Sequence, residues 1–231
     1  MSIRKNFGLI SMPRSGQHFL ARAIIYYLDN LNIKNHYCVY YKLCENIPCN
    51  CAHVPDNINI VFQKNHDFDL KIRTDIQGVK YLYLFRDSII NCIEANYRLK
   101  SYIQTTSSGG ITPCIRNKDD PGGLDKTSNI NIKYNDIEFE KFKGYFKNLA
   151  PMLLKTKKKW LKTKNTLIVI YEELINNFEY YFTQILSHFD IPINIELIQK
   201  TKVYCNPHQS NKKRFTVEQI NILNSLVTTF E

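Results

Sequence analysis

The sequence predicts an α/β fold: a single domain over residues 1–231, with a central, mostly parallel sheet flanked by helices. Three observations predict it. Apolar β-like runs alternate with amphipathic stretches along the chain, the order expected of a parallel sheet covered by helices. Arg14, Lys64 with His66, and Arg86 each follow directly on one of those runs, so basic groups converge on one edge, where open sheets of this kind bind ligands. A length of 231 residues with 44% hydrophobic content suffices for one sizeable core, and neither a second core nor an internal repeat is visible.

Taken in order, residues 7–12 read as the first strand and Ser15 to about Asp29 as the first helix. A cysteine-rich connection follows. Ile58–Gln63 and Lys80–Phe85 are rich in β-branched or aromatic residues and give the second and third strands. Ser88 caps a helix running to about Tyr102. Between Gln104 and Asn135 the composition changes: Gly109, Gly110, Gly122 and Gly123 are half of the 8 glycines, joined by Pro113 and Pro121. We read residues 104–135 as a long flexible loop or lid. The spacing of Phe139, Phe142, Phe146, Leu149, Leu153 and Trp160 predicts a long helix, irregular at Pro151. Thr166–Tyr171 is the fourth strand, and helices over 173–189 and 216–228 close the domain.

The turn at Met12-Pro13-Arg14-Ser15-Gly16 has the character of a phosphate cradle. A strand that stops at a proline, turns through small residues and enters a helix leaves backbone N–H groups unpaired, with the positive end of the helix dipole behind them. It is not the GxxxxGK[ST] loop of nucleoside triphosphatases, because there is one glycine and Arg14 precedes it.

A formal charge of +10 implies an anionic partner: a nucleotide, an acidic glycan or nucleic acid. No apolar run approaches the length of a membrane span, and the first strand begins too early to leave room for a signal peptide. The chain is therefore expected to be soluble and cytoplasmic. Seven cysteines, an odd number, argue against a disulfide framework. Cys38, Cys44, Cys49 and Cys51, with His36 and His53, invite a zinc reading, but no clean CxxC pair is present and Pro48 and Pro55 interrupt. A metal, a local disulfide and reduced loop thiols all stay open for that cluster.

Phe7 to Leu20, with Pro13-Arg14-Ser15-Gly16 at its centre, resembles the 5′-phosphosulfate loop of the sulfotransferases that use 3′-phosphoadenosine 5′-phosphosulfate (PAPS). Three further motifs follow in that family's order: Lys64-Asn65-His66, Tyr81-Leu82-Tyr83-Leu84-Phe85-Arg86-Asp87 and Ile168-Val169-Ile170-Tyr171-Glu172-Glu173-Leu174. Residues 6–100 and 155–192 carry the resemblance; 30–57 and 104–135 have no counterpart.

The resemblance implies a P-loop-like nucleotide-binding architecture and transfer of a sulfuryl group from PAPS to a hydroxyl or amine, with no metal needed. His66, matching the histidine of the family's Lys-Thr-His, is implied as the base that activates the acceptor. Arg14 and Lys64 are implied to meet the 5′-phosphate and the bridging oxygen. Ser15, Gly16, Gln17, His18 and Phe19 are implied to complete the cradle, Arg86 to hold the 3′-phosphate, and Tyr171 to lie near the adenosine. Lys212, Lys213 and Arg214 stand for the family's basic C-terminal loop, without its glycines. Glu94 departs from the pattern, standing eight residues after Arg86 where the family usually has a serine. Either it opposes the nucleotide or it pairs with Arg98 at the i, i+4 spacing.

Other patterns carry less. Cys92 to Arg98 has the Cys-x5-Arg spacing of cysteine phosphatases but reads as helix. The lysines 155, 157, 158, 159, 162 and 164 form a basic run that could hold nucleic acid or an acidic glycan, but a solvated helix face is the favoured reading. The rival reading is a sulfotransferase-like domain without chemistry that binds nucleic acid or an acidic polymer. For an enzyme, the acceptor is a carbohydrate or a small hydroxylated molecule and nucleic acid is not expected as a partner. The sequence leaves the acceptor's identity and the oligomeric state open.

Overall fold

The computed structural model of the chain describes residues 4–39, 54, 57–106, 134–206 and 214–230. Its elements in order are β1 (Lys5–Ser11), α1 (Gln17–Asn30), β2 (Asn35–Val39), β3 (Ile60–Asn65), β4 (Lys80–Phe85), α2 (Ile89–Thr106), α3 (Asp136–Leu161), β5 (Thr166–Ile170), α4 (Tyr171–Asn176), α5 (Phe178–His188), α6 (Ile195–Cys205) and α7 (Val217–Phe230). The described strands form one sheet in the order β2-β3-β1-β4-β5, parallel at every pairing.

The alternation of side chains along a strand divides the core into two layers. Leu82 and Leu84 of β4 enter one cluster with Leu20 and Ile24 of α1, Phe182 of α5 and Ile198 of α6. Tyr81, Tyr83 and Phe85 face the other way, into Ile93 of α2, Phe142, Phe146 and Trp160 of α3 and Leu223 of α7. A strand buried on both faces needs the near-continuous apolar sequence that β4 has. In α1 the buried positions Leu20, Ala23, Ile24, Tyr27 and Leu28 follow the spacing of one helical face.

The chain steps from β1 through β2 to β3 on one side of β1, then crosses to β4 and β5 on the other. Connections leaving the carboxyl ends of β1, β3 and β4 diverge there and open a crevice. The order of elements thus places the crevice where Arg14, Lys64, His66 and Arg86 sit.

The elements differ from expectation at five points. β2 is a strand inside the stretch read as connection; among the described residues it lies at the sheet edge and pairs with β3 alone. α2 continues through Thr106, past the expected start of the loop. α3 runs unbroken across Pro151, with Phe146, Ala150 and Leu153 buried on both sides of it. The helix read over 173–189 is two helices, broken at Asn177, whose backbone (φ −132°, ψ 59°) is not helical. α6 was not anticipated at all; Asn194 caps it by accepting from the Leu197 N–H, and Leu197, Ile198, Thr201 and Cys205 are its buried residues. Residues 107–133, which hold most of the expected lid, lie outside the described residues, as do Cys44, Cys49, Cys51 and His53. Cys38 is a buried residue of β2.

Candidate active site

The turn after β1 is built from two left-handed residues, Arg14 at φ 61° and Gly16 at φ 79°, on either side of the fully buried Ser15. Ser15 N–H donates to the Met12 carbonyl at 3.3 Å, and Leu20 N–H donates to the Gly16 carbonyl at 3.0 Å, which starts α1. Beneath the turn the Cys92 thiol of α2 donates to the Pro13 carbonyl at 2.8 Å. Burial pushes that thiol up to about 12, so it stays protonated and serves as the donor. Above the turn lies Tyr171: a Cβ on Gly16 would fall 2.1 Å from its ring. Glycine is required here both for its backbone angle and for this contact.

Gln17, expected among the cradle residues, turns its side chain inward. Its Nε2 donates to the Leu9 carbonyl at 2.6 Å, and its Oε1 accepts from the Ser11 hydroxyl at 2.7 Å. The amide side chain therefore pins α1 to β1, and what Gln17 can offer a ligand is its backbone N–H at the helix start. Phe19 meets the Tyr171 ring edge-on at 6.1 Å.

Lys64 at the end of β3 is buried, and its Nζ donates to His18 Nε2 at 3.2 Å. That contact joins β3 to the first turn of α1. His66, one residue beyond β3, places Nδ1 2.7 Å from the Ser11 carbonyl and 3.3 Å from the Ser11 hydroxyl. A carbonyl only accepts, so Nδ1 carries the proton and the lone pair resides on Nε2. Burial, then the neighbouring Lys64 charge, lower the imidazole to about 4 against the opposing bond to Ser11. At neutral pH His66 is an uncharged base with a fixed tautomer.

Arg86 follows β4. Its guanidinium carbon lies 5.2 Å from the centre of the Tyr171 ring, and its Nε is 4.0 Å from Glu172 Oε1. Glu172 Oε2 also accepts from the Asp87 N–H at 3.1 Å. Arg86, Tyr171 and Gly16 are thereby stacked one on another across the crevice. The structure brings Arg14, Ser15, Gly16, Gln17, His18, Phe19, Lys64, His66, Arg86 and Tyr171 to one edge of the sheet.

No family model matches this sequence, and no curated relative is found by sequence. Solved structures do match. The mouse sulfotransferase SULT7A1 complexed with PAP superposes with a TM-score of 0.62 over 100% of this chain and 85% of its own, at 14% identity. Retinol dehydratase in complex with androsterone and inactive cofactor PAP gives 0.59, covering 100% of this chain and 82% of its own, at 13% identity. Retinol dehydratase in a complex with retinol and PAP gives 0.58 at 13%. The chain has the fold of the PAPS-dependent sulfotransferases.

Glu94 falls on the second of the two alternatives left open for it. Its carboxylate is 6% exposed and lies 2.7 Å from Arg98 Nε, at the i, i+4 spacing. Arg214, at the entry to α7, approaches the same oxygen to 3.6 Å, and the Tyr134 hydroxyl donates to it at 3.3 Å. Burial, reinforced by Glu94, pushes the Tyr134 phenol upward, so it stays a donor. Arg214, expected at the nucleotide, is thus engaged in joining α7 to α2; Lys212 and Lys213 lie outside the described residues.

Sequence reading missed Ser11, whose carbonyl and hydroxyl orient His66 and Gln17, because a lone serine at the end of an apolar strand signals no chemistry. Cys92 was considered only for a phosphatase spacing, yet it braces the turn from below.

Proposed function

We propose that this protein is a sulfotransferase that moves a sulfuryl group from PAPS to a hydroxyl or amine acceptor. The observation that carries the reading is His66: an uncharged imidazole of fixed tautomer beside a phosphate-type turn and a buried lysine.

In such a transfer the protein orients the acceptor in line and stabilises charge on the departing phosphate. His66 Nε2 takes the acceptor proton as the acceptor oxygen or nitrogen bonds to sulfur. Arg14, Lys64 and the backbone N–H groups at the start of α1 meet the charge left on the phosphate when the sulfur–oxygen bond breaks. Lys64 exchanges its resting contact with His18 for that phosphate. Arg86 and Tyr171 hold the nucleotide's other end, the guanidinium by paired hydrogen bonds to phosphate. No metal enters this scheme.

The acceptor we propose is a carbohydrate or a small hydroxylated molecule. Androsterone and retinol in the similar structures support the second class. A cytoplasmic setting accords with the odd cysteine count. The single domain extends over 1–231 in this reading.

The test is nucleotide binding followed by transfer. Calorimetric titration is expected to show 3′-phosphoadenosine 5′-phosphate binding well ahead of AMP and ADP, and labelled PAPS is expected to transfer its label to members of a hydroxylated acceptor panel. Equal binding of all three nucleotides, with retention on an anionic polymer, would instead select the rival reading of a domain without chemistry.

A further inference from the structure

The residue immediately after His66 is a carboxylate whose side chain has 0% exposure. Asp67 Oδ2 meets Lys159 Nζ at 2.6 Å and accepts from the Trp160 indole N–H at 2.9 Å. Its Oδ1 accepts from the Ile72 N–H at 2.9 Å. The backbone of Asp67 is held as well, its N–H donating to Asn65 Oδ1 at 2.7 Å. Lys159 also donates to the carbonyls of Leu70 and Ile72, at 3.0 and 2.7 Å, so the whole turn 67–72 folds around one ammonium supplied by α3.

This arrangement is costly if stability were its only purpose. Desolvating a carboxylate and an ammonium together contributes little net stability, and an apolar pair of similar volume would fasten α3 to the turn as well. Asp67 also has a left-handed backbone, φ 49°, which an L residue adopts only where its surroundings impose it. What the network does fix is direction. With Asn65 and Asp67 both buried and bonded on either side, the Cα–Cβ vector of His66 has one orientation, the one that brings Nδ1 to the Ser11 carbonyl. Phe68 then covers the imidazole, ring centres 5.2 Å apart and planes 23° apart.

We propose that Asp67, gripped by Lys159 and Trp160 of α3, is the positioning residue for His66. It sets the turn that aims Nδ1 at Ser11 and keeps the Nε2 lone pair directed at the acceptor. The geometric half stands by itself; the catalytic half rests on the function proposed above. Lys159, within a lysine run read from sequence as a solvated face, turns inward for this purpose.

The test uses Asp67→Asn and Trp160→Phe in the full chain. Asparagine tolerates the left-handed backbone but loses the charge, and phenylalanine removes one donor while keeping most of the ring. The first readout is the His66 imidazole by ¹⁵N NMR between pH 5 and 7.5. Wild-type His66 should stay neutral throughout, whereas Asp67→Asn should release the ring from its buried site and let it titrate nearer ~6.5. The second readout is transfer: kcat is expected to fall ~10-fold or more, with affinity for 3′-phosphoadenosine 5′-phosphate within twofold of wild type, because misplacing a reacting group costs rate rather than nucleotide binding. Trp160→Phe should move both readouts the same way by less. Folded variants, by near-UV circular dichroism, whose His66 titration and kcat match wild type overturn the proposal. If Asp67→Asn does not fold, Trp160→Phe decides alone by the same two readouts. Should wild type transfer nothing, the functional reading fails, while the NMR comparison still decides whether Asp67 positions His66.

Discussion

His66 differs from a surface histidine in what surrounds each ring nitrogen, and that difference is measurable. Because burial and Lys64 lower it to about 4, the acid limb of the kcat profile should lie near pH 4–5 rather than near ~6.5. An acid limb centred at 6.5 would show that the acceptor's base is another group. His66→Ala should lower kcat ~10²-fold or more and leave 3′-phosphoadenosine 5′-phosphate binding close to unchanged, as calorimetry and single-turnover transfer can establish. Gly16 makes a contrasting demand. An added Cβ meets the Tyr171 ring at 2.1 Å on a backbone of φ 79°, so Gly16→Ala should weaken nucleotide binding ~10-fold or more. Near-normal affinity in that variant would mean the turn is not the phosphate site. At this scale the sequence displayed the reactive groups, since Arg14, Lys64, His66 and Arg86 stand at strand ends. It did not display their supports, because Ser11, Cys92 and Asp67 act through carbonyl contacts and buried bonds that no spacing encodes.

The same division holds among the elements. β1, β3, β4 and β5 announce themselves by continuous apolar runs, and α1 and α3 by one-sided apolar spacing. β2 does not, because a strand at the edge of the described sheet needs less apolar sequence; Asn35, His36 and Tyr37 are only partly buried. α6 carries the exposed apolar residues Ile195 and Val203 beside its buried Leu197 and Ile198, which blurs its period. Contacts between elements were partly legible: the i, i+4 relation of Glu94 and Arg98 was visible, whereas the arrival of Arg214 and Tyr134 at the same carboxylate was not. Those arrivals tie α2 to the entries of α3 and α7. Glu94→Ser leaves two buried guanidinium groups without that carboxylate and should lower unfolding stability by about 3 kcal/mol. Urea denaturation measures it, and a loss below about 1 kcal/mol would show that the network contributes little.

For the molecule as a whole, the depressed His66 value couples folding to pH. The folded state binds this proton more weakly than the unfolded chain, so the stability involved is fully present above ~6.5 and is lost as pH falls toward about 4. Its size is on the order of 3 kcal/mol. His66→Asn should therefore flatten the fall in stability between pH 6.5 and 4.5, and an unchanged slope would place the coupling in other groups. The sheet order has a kinetic consequence. β1 is central and made first, yet both its partners, β3 and β4, lie more than fifty residues downstream, so the crevice between them closes only after long loops have been spanned. Tyr171, which covers the turn at Gly16, comes later still. A pocket assembled from such distant segments is absent from any early folding nucleus. Bound nucleotide should accordingly slow unfolding in proportion to its occupancy while leaving the refolding rate alone, so that the ligand acts as a clasp on the finished molecule rather than a guide to making it.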